Sequence, residues 1–340
     1  MQVYTPEVYE ILEHALEGNG LSRDETRRLF EVPERSRDAA LMRWAGQELS
    51  LRASDGVAEI HGQIGLNSTK CPMDCGFCSF AKSAACRTED FELTREEVVE
   101  YAKIQMENRV NVILLLCTAS YKFDKLLEMA EAVRETIGPD FPLLANCDDL
   151  TYDKAVRLRA AGVNGCYHAA RMGEGRDTKI PVEKRVQTFE NMRRAGLSLQ
   201  TCVEPIGPEH SVDELVEATF RCIAQHPQSG GAARRVAVEG TRLYERGMIT
   251  EVRNVDYAAI YRLASGLKPR LNCSANTVMT AASGANQMWV ELGLNPRDLL
   301  ARTEKGGQAI GIKLARKTFV GAGWEILDGP SQGWVVEPQE

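Results

Sequence analysis

The chain has 340 residues, of which 44% are hydrophobic and 26% charged, an ordinary composition for a soluble globular fold. Its net charge of −7 includes no basic run to neutralise phosphates, so a nucleic-acid partner is not expected. No apolar run approaches the roughly 20 residues that cross a bilayer. The start, Met1-Gln2-Val3-Tyr4-Thr5-Pro6-Glu7, has no charged or apolar export signature, so a cytoplasmic protein with no membrane contact is expected.

Residues 1–52 read as a helical segment, because Pro6–Glu17, Asp24–Phe30 and Arg37–Leu49 carry apolar residues at three- and four-residue spacing. Beyond it, short apolar runs alternate with amphipathic stretches. Val57–Leu66 reads as a strand and Thr94–Glu107 as a helix capped by Thr94. Strands at Val112–Leu116, Pro142–Ala145, Gly165–Tyr167 and Ser198–Val203 follow, separated by helices at Lys122–Ile137, Thr151–Ala161 and Pro181–Ala195. Helices at Ser211–Gln225 and Val255–Leu267, and strands at Arg235–Val238, Pro269–Asn272 and Gln287–Val290, complete the pattern. Eight strands in alternation with helices predict an α/β fold, a (β/α)8 TIM-type barrel over residues 53–310. It would have an N-terminal helical extension and a C-terminal extension over 311–340. A doubly wound sheet is the competing arrangement.

Ten cysteines in a reducing compartment point to metal or redox chemistry rather than disulfides. The sharpest signal is Lys70-Cys71-Pro72-Met73-Asp74-Cys75-Gly76-Phe77-Cys78, a C-x3-C-x2-C spacing in a loop after the first strand. Three thiolates so arranged suit three irons of a [4Fe–4S] cluster and leave the fourth iron open, which is what S-adenosylmethionine (SAM) needs for chelation. Zinc would want a fourth ligand, for which Cys86 is the candidate, and the spacing is not a usual zinc spacing. The triad and its position resemble the radical SAM superfamily. The resemblance implies that Phe77 lies beside the adenine of SAM.

A second set of residues falls at strand ends, where barrel chemistry gathers. Cys117 ends the second strand, Cys147 follows the third, Cys202 sits late in the fifth, and Arg270 opens the strand that ends in Cys273. Each alone reads as a core residue; together they suggest a second metal centre. Residues 57–310 resemble biotin synthase, a radical SAM enzyme that inserts sulfur, and Ser283-Gly284-Ala285-Asn286 and Leu292-Gly293-Leu294-Asn295-Pro296 match that family in order. The resemblance implies that Cys117, Cys147, Cys202 and Arg270 ligate an auxiliary [2Fe–2S] cluster. With Cys273 in place of Arg270 the auxiliary centre would change type, a [4Fe–4S] cluster included. It also implies Arg185 near the SAM carboxylate, in keeping with the strength of guanidinium–carboxylate pairing. The segment Glu204-Pro205-Ile206-Gly207 would lie along the adenosine, with Glu204 and Ile206 as contacts. Cys86, Cys166 and Cys222 read as structural.

The match departs from the family at the substrate. Where biotin synthase holds a ureido ring with asparagines and an aspartate, this chain has Tyr167-His168-Ala169-Ala170-Arg171, and Ala233 replaces the asparagine of the sixth strand. His168 and Arg171 are candidate substrate or SAM contacts. The combination predicts sulfur insertion into a substrate other than dethiobiotin, with an octanoyl chain, free or on a carrier protein, as the main candidate and a lipoyl group as product. Two-protein, biotin-synthase-like lipoyl synthases imply a partner radical SAM protein, and the chemistry implies an electron donor such as ferredoxin or flavodoxin. The alternatives are a radical SAM enzyme of hydrogenase-type metal-cofactor assembly, biotin synthase itself, and a non-catalytic iron–sulfur carrier.

Overall fold

The structure, a computed structural model, describes residues 5–86, 90–295, 297 and 311–334. Three helices open the chain: α1 (Pro6–Leu16), α2 (Arg23–Phe30) and α3 (Arg37–Ser54). Then come β1 (Val57–Gly65), α4 (Arg95–Glu107), β2 (Val112–Leu116), α5 (Phe123–Ile137), β3 (Leu143–Asn146), α6 (Tyr152–Ala160) and β4 (Gly165–Tyr167). The second half runs α7 (Val182–Arg194), β5 (Ser198–Gln200), β6 (Val203–Ile206), α8 (Val212–Ile223), β7 (Ser229–Arg234) and α9 (Glu251–Ser265). It finishes with β8 (Leu271–Cys273), α10 (Val278–Ala281), β9 (Gln287–Leu292), α11 (Ile312–Gly321) and β10 (Glu325–Ile326).

Every strand pairing is parallel, and β9 returns to β1, with Glu59 opposite Gln287 and Ile64 opposite Leu292. The eight strands β1, β2, β3, β4, β5, β7, β8 and β9 therefore close into a barrel, while β6 pairs only with β7 and β10 adds to β1. Closure leaves the barrel without sheet edges and decides for the TIM-type fold over a doubly wound sheet. Helices start where the sequence supplies caps: Thr94 with Glu97 for α4, and Ser211 with Glu214 for α8, form reciprocal capping boxes. Among the described residues no helix is long and apolar enough to cross a membrane.

Two strands depart from expectation. The run Ser198–Val203 is divided between β5 and β6. The strand expected at Arg235–Val238 lies instead at Ser229–Arg234, in the sequence Ser-Gly-Gly-Ala-Ala-Arg. Such a sequence has almost no strand propensity. Its glycines are steric necessities, because a Cβ on Gly230 would sit 1.9 Å from Tyr261 Oη and one on Gly231 1.8 Å from the Cys273 carbonyl oxygen.

Alternation along the strands divides the interior in two. Ala58, Ile60 and Ile64 of β1, with Ile113 and Leu115 of β2, pack outward into the main core against the helices. Val112, Leu114, Leu116, Leu144, Tyr167, Cys202, Leu271 and Cys273 face the bore and cluster there with Trp334. His61 packs edge-on against Trp289 and Trp334, so β1 presents its polar alternates, Glu59 and His61, to the bore. The C-terminal segment closes the floor: Leu327 N–H donates to Ala58, Ser331 N–H to Asn111, and Ser198 Oγ donates to the Trp334 carbonyl. The helices α1–α3 pack with α8 and α9 in a separate core that includes Leu29, Met42, Leu49 and Ile260.

Candidate functional site

At the C-terminal ends of the strands, the loop after β1 carries Cys71, Cys75 and Cys78, all half-buried and free. Its turns are short and internally bonded: Cys71 N–H donates to Phe80, Cys78 N–H to Cys75, and Lys82 N–H to Cys71. Asp74 takes a left-handed φ of 54° between the first two cysteines. Its carboxylate accepts from Ser83 N–H at 2.8 Å and meets Lys179 at 3.0 Å. Those hydrogen bonds and the lysine hold the carboxyl down to about 2.

The three thiols lie close enough to influence one another electrostatically. Burial pushes all three up, Cys75 to about 11 and Cys78 further, while Arg171 and Arg185 act in the opposite direction. Three such thiols become thiolates when a cationic centre offsets their desolvation. Among the described residues the one group of three whose ligand atoms all lie within 4.8 Å of one another is Asp177, Glu209 and His210. The cysteines offer three thiols from one short loop with no fourth ligand in the run, the donor set of an iron–sulfur cluster with one open iron rather than of a four-ligand structural zinc site. Cys86 interacts with the Ser79 carbonyl.

Sequence reading missed what steadies this loop. Gly76 N–H donates to the Asp177 carbonyl at 2.8 Å, Leu243 N–H donates to Gly76 at 2.9 Å, and Arg242 donates to the Asp74 carbonyl at 2.8 Å. Asp177 takes Arg246 at 3.1 Å, and Glu209 is held by both Nη atoms of the buried Arg235. Asp177, Glu209 and His210 are a possible metal-ligand set by geometry, but arginines already occupy both carboxylates. Nothing local in the sequence marks Arg242 or Asp177; both act from distant loops.

Arg185 is buried on α7, with Nε 2.8 Å from Glu174 and Nη1 3.0 Å from Asp149. His168 Nε2 lies 3.3 Å from the same Asp149. Burial lowers the His168 pKa, with Asp149 opposing, so the ring is neutral. Arg171 and the Tyr167 hydroxyl both bind Glu204 on β6. Ile206 is buried beneath that segment. Phe77 sits half-buried between Gly76 and Cys78.

Four of the remaining six cysteines form two pairs. Cys117 and Cys147, beyond the ends of β2 and β3, influence each other and Asp148, and line a cavity of about 80 Å³ with Tyr121 and Lys154. Cys202 donates a hydrogen bond to Cys273 across the glycine of β7, which pushes Cys202 up and Cys273 down. Arg270 precedes β8, at the opposite end of the strands, and its guanidinium is bound to the buried Glu59. Cys166 and Cys222 are buried in the helix-facing cores. A cavity of about 440 Å³ lies apart from all of these, between α7 and the turn before β7.

A closed parallel barrel with an iron–sulfur-type cysteine loop beyond its first strand defines the radical SAM class of protein. No model of a known protein family matches the chain. Biotin synthase of Pelotomaculum thermopropionicum is 30% identical over 236 residues, which are 64% of this chain and 71% of that protein. Biotin synthase of Rhodopirellula baltica is 23% identical over 273 residues, 77% of this chain and 75% of that one. Among solved structures, methylornithine synthase (PylB) superposes with a TM-score of 0.78 at 14% identity, over 95% of this chain and 97% of that one. The FeFe-hydrogenase maturase HydG from Carboxydothermus hydrogenoformans gives 0.77 at 15% identity, over 95% and 79%. The chain belongs to the biotin-synthase-like family of radical SAM proteins.

Proposed function

We propose that the chain is a radical SAM enzyme that abstracts hydrogen from a small polar molecule enclosed in the barrel bore, without inserting sulfur. The observation that carries this reading is the division of the auxiliary residues: Cys117 with Cys147, Cys202 with Cys273, and Arg270 with Glu59. A sulfur-donating cluster needs its ligands around one centre. The bore also carries Glu59, His61, Gln200, Ser229 and Gln287, all buried, and an octanoyl chain would leave such groups unpaired.

When bound, a [4Fe–4S] cluster and SAM supply a hydrogen-abstracting 5′-deoxyadenosyl radical, given one electron from a ferredoxin- or flavodoxin-type donor. Cys71, Cys75 and Cys78 would hold the cluster. Arg185, oriented by Asp149 and Glu174, would offer its remaining N–H groups to the SAM carboxylate. Phe77, Glu204 and Ile206 would line the adenosine, with Glu204 oriented by Tyr167 and Arg171. Arg171 would face the substrate, while His168, edge-on to Phe189 of the helix-facing core and beside Asp149, would act through Asp149 on Arg185. The likeness to HydG supports a metal-cofactor-assembly variant of this reading, and the sequence relatives support biotin synthesis itself. Sulfur insertion is favoured by one observation, the proximity of Cys117, itself beside Cys147, to Cys71; a partner radical SAM protein belongs to that reading.

Anaerobic reconstitution separates these readings, with iron and sulfide counted in the wild type and in a Cys71→Ala/Cys75→Ala/Cys78→Ala variant. About four irons in the wild type, none in the variant, and 5′-deoxyadenosine on reduction are expected. Iron and sulfide remaining in the variant would establish a second cluster and favour sulfur insertion. A cluster that forms without SAM cleavage would make the chain a carrier.

A further inference from the structure

Cys117 and Cys147 have no role in the chemistry above, and both thiols are free. They stand side by side. Leu116 on β2 is in register with Asn146 on β3, and Cys117 N–H donates to the Asn146 carbonyl at 2.9 Å, which carries the parallel ladder one step further. Neighbouring parallel strands run about 4.8 Å apart, inside the roughly 4.4–6.8 Å that a disulfide spans between Cα atoms. The pair lies outside the bore. Leu114 and Leu116 face inward, so Cys117 alternates outward with Ile113 and Leu115 into the helix-facing core, and Cys147 packs against that core. Cys202 and Cys273 are on the bore side, so the two pairs occupy opposite faces of the barrel wall.

Both cysteines line the cavity of about 80 Å³ between the starts of α5 and α6, which gives the sulfur end of a small reagent room beside them. Tyr121 Oη and Asp148 Oδ1 are buried in its wall without a hydrogen-bond partner, polar contacts that a hydrophilic molecule would complete. Each cysteine also begins a segment that steadies the site. After Cys117, Thr118 N–H donates to Asn67 at 3.0 Å, and Ser120 Oγ donates to the Lys70 carbonyl, next to Cys71, at 2.7 Å. After Cys147, Asp149 holds Arg185, and Leu150 N–H donates to Thr188 of the same helix α7 at 3.2 Å. A disulfide holds its sulfurs about 2 Å apart, so closing it draws the two segments together and moves Asp149 against Arg185.

We propose that Cys117 and Cys147 are a redox modification site on the outer wall of the barrel, closed to a disulfide by a small-molecule disulfide and thereby loosening the hold on SAM. The second half rests on reading Arg185 as the partner of the SAM carboxylate. Cys147, the more exposed of the two, attacks one sulfur of the reagent, forming a mixed disulfide and releasing one thiol. Cys117 then attacks the Cys147 sulfur, forming the internal bond and releasing the second thiol. The two protons leave on the released thiols, so the protein gives up two electrons and two protons and the reagent gains them. Burial and Asp148 push the Cys147 thiol up to about 12, with Lys154 opposing, so the exchange is slow at neutral pH and answers sustained oxidation.

Its test uses the cluster-reconstituted protein without oxygen, either left reduced or treated with oxidised glutathione, then alkylated with N-ethylmaleimide and digested without reductant. A peptide linking Cys117 to Cys147 is expected after treatment, with iron content unchanged, and dithiothreitol should reverse it. Equilibrium dialysis with SAM reads the coupling. Affinity should fall about tenfold on oxidation, as for the loss of one charged hydrogen bond, and return on reduction. Cys117→Ser and Cys147→Ser should each hold one SAM affinity through the same treatment. No linked peptide, iron held by the pair in place of the bond, or equal SAM affinity in the two states would overturn the proposal. Should Cys117→Ser not fold, the half-buried Cys147→Ser decides alone. A reduced protein that binds no SAM would instead overturn the reading of Arg185, while the linked peptide still decides for the pair.

Discussion

Arg270 and Glu59, which lie 211 residues apart in sequence, meet at the floor of the barrel as a charge-paired hydrogen bond. Glu59 is fully buried and also contacts His61 at 2.9 Å. Although burial would raise its pKa, His61, Ser331 and Arg270 hold the carboxyl below its ordinary value. An Arg270→Ala substitution leaves that carboxylate with only part of its compensation and is expected to cost about 3 kcal/mol of folding stability. Urea unfolding measures this, and iron content should not change. A variant of unaltered stability that loses iron would instead make Arg270 a cluster ligand.

Arg242 reaches the cluster loop from the far side, donating to the Asp74 and Asp177 carbonyls at 2.8 and 3.2 Å. It touches no thiol, so its contribution is to the pose of the three cysteines. Groups that orient metal ligands are worth roughly 10- to 100-fold in metal affinity. Arg242→Ala is expected to lose iron to a chelator about tenfold faster, followed by bleaching of the cluster absorbance, with little change in melting temperature. Unchanged iron loss would remove Arg242 from the site.

The Glu209–Arg235 pair should make stability depend on pH. Burial would raise the Glu209 pKa, but the Arg235 hydrogen bonds outweigh it and hold the carboxyl down to about 2, below its ordinary 4.5. A folded pKa below the unfolded one means that the stabilisation is complete above pH 4.5 and declines as pH falls towards 2. Wild type should exceed Glu209→Gln by about 2–3 kcal/mol at neutral pH, and more than half of that gap should be gone near pH ~3. Denaturant titrations at the two pH values give the gap directly. A gap that does not narrow would show that Glu209 gains nothing from its charge.

Much of the molecule is legible in the chain, because the signals involved are local. The alternation of apolar runs with capped amphipathic stretches located seven of the eight barrel strands, since strand and helix periods are properties of neighbouring residues. Strand β7 was illegible for a tertiary reason: its glycines answer to Tyr261 and Cys273, and no local preference announces that. The residues 1–4, 87–89, 296, 298–310 and 335–340 lie outside the described structure, including Pro296 of the segment matched to biotin synthase.

The site divides along the same line. The C-x3-C-x2-C loop is contiguous, so its spacing alone set three thiols in one loop beyond the first strand. Which other cysteines share a centre depends on how strand ends meet once the barrel closes. Closure set Cys202 beside Cys273 and left Cys117 with Cys147. It also carried Arg270 to Glu59, a carboxylate whose burial no one-dimensional pattern discloses. The chain alone determined the barrel and the cluster loop, through short-range periodicity and spacing. Only the tertiary structure decided the polarity of the bore, because long-range strand register chooses which side chains face one another there.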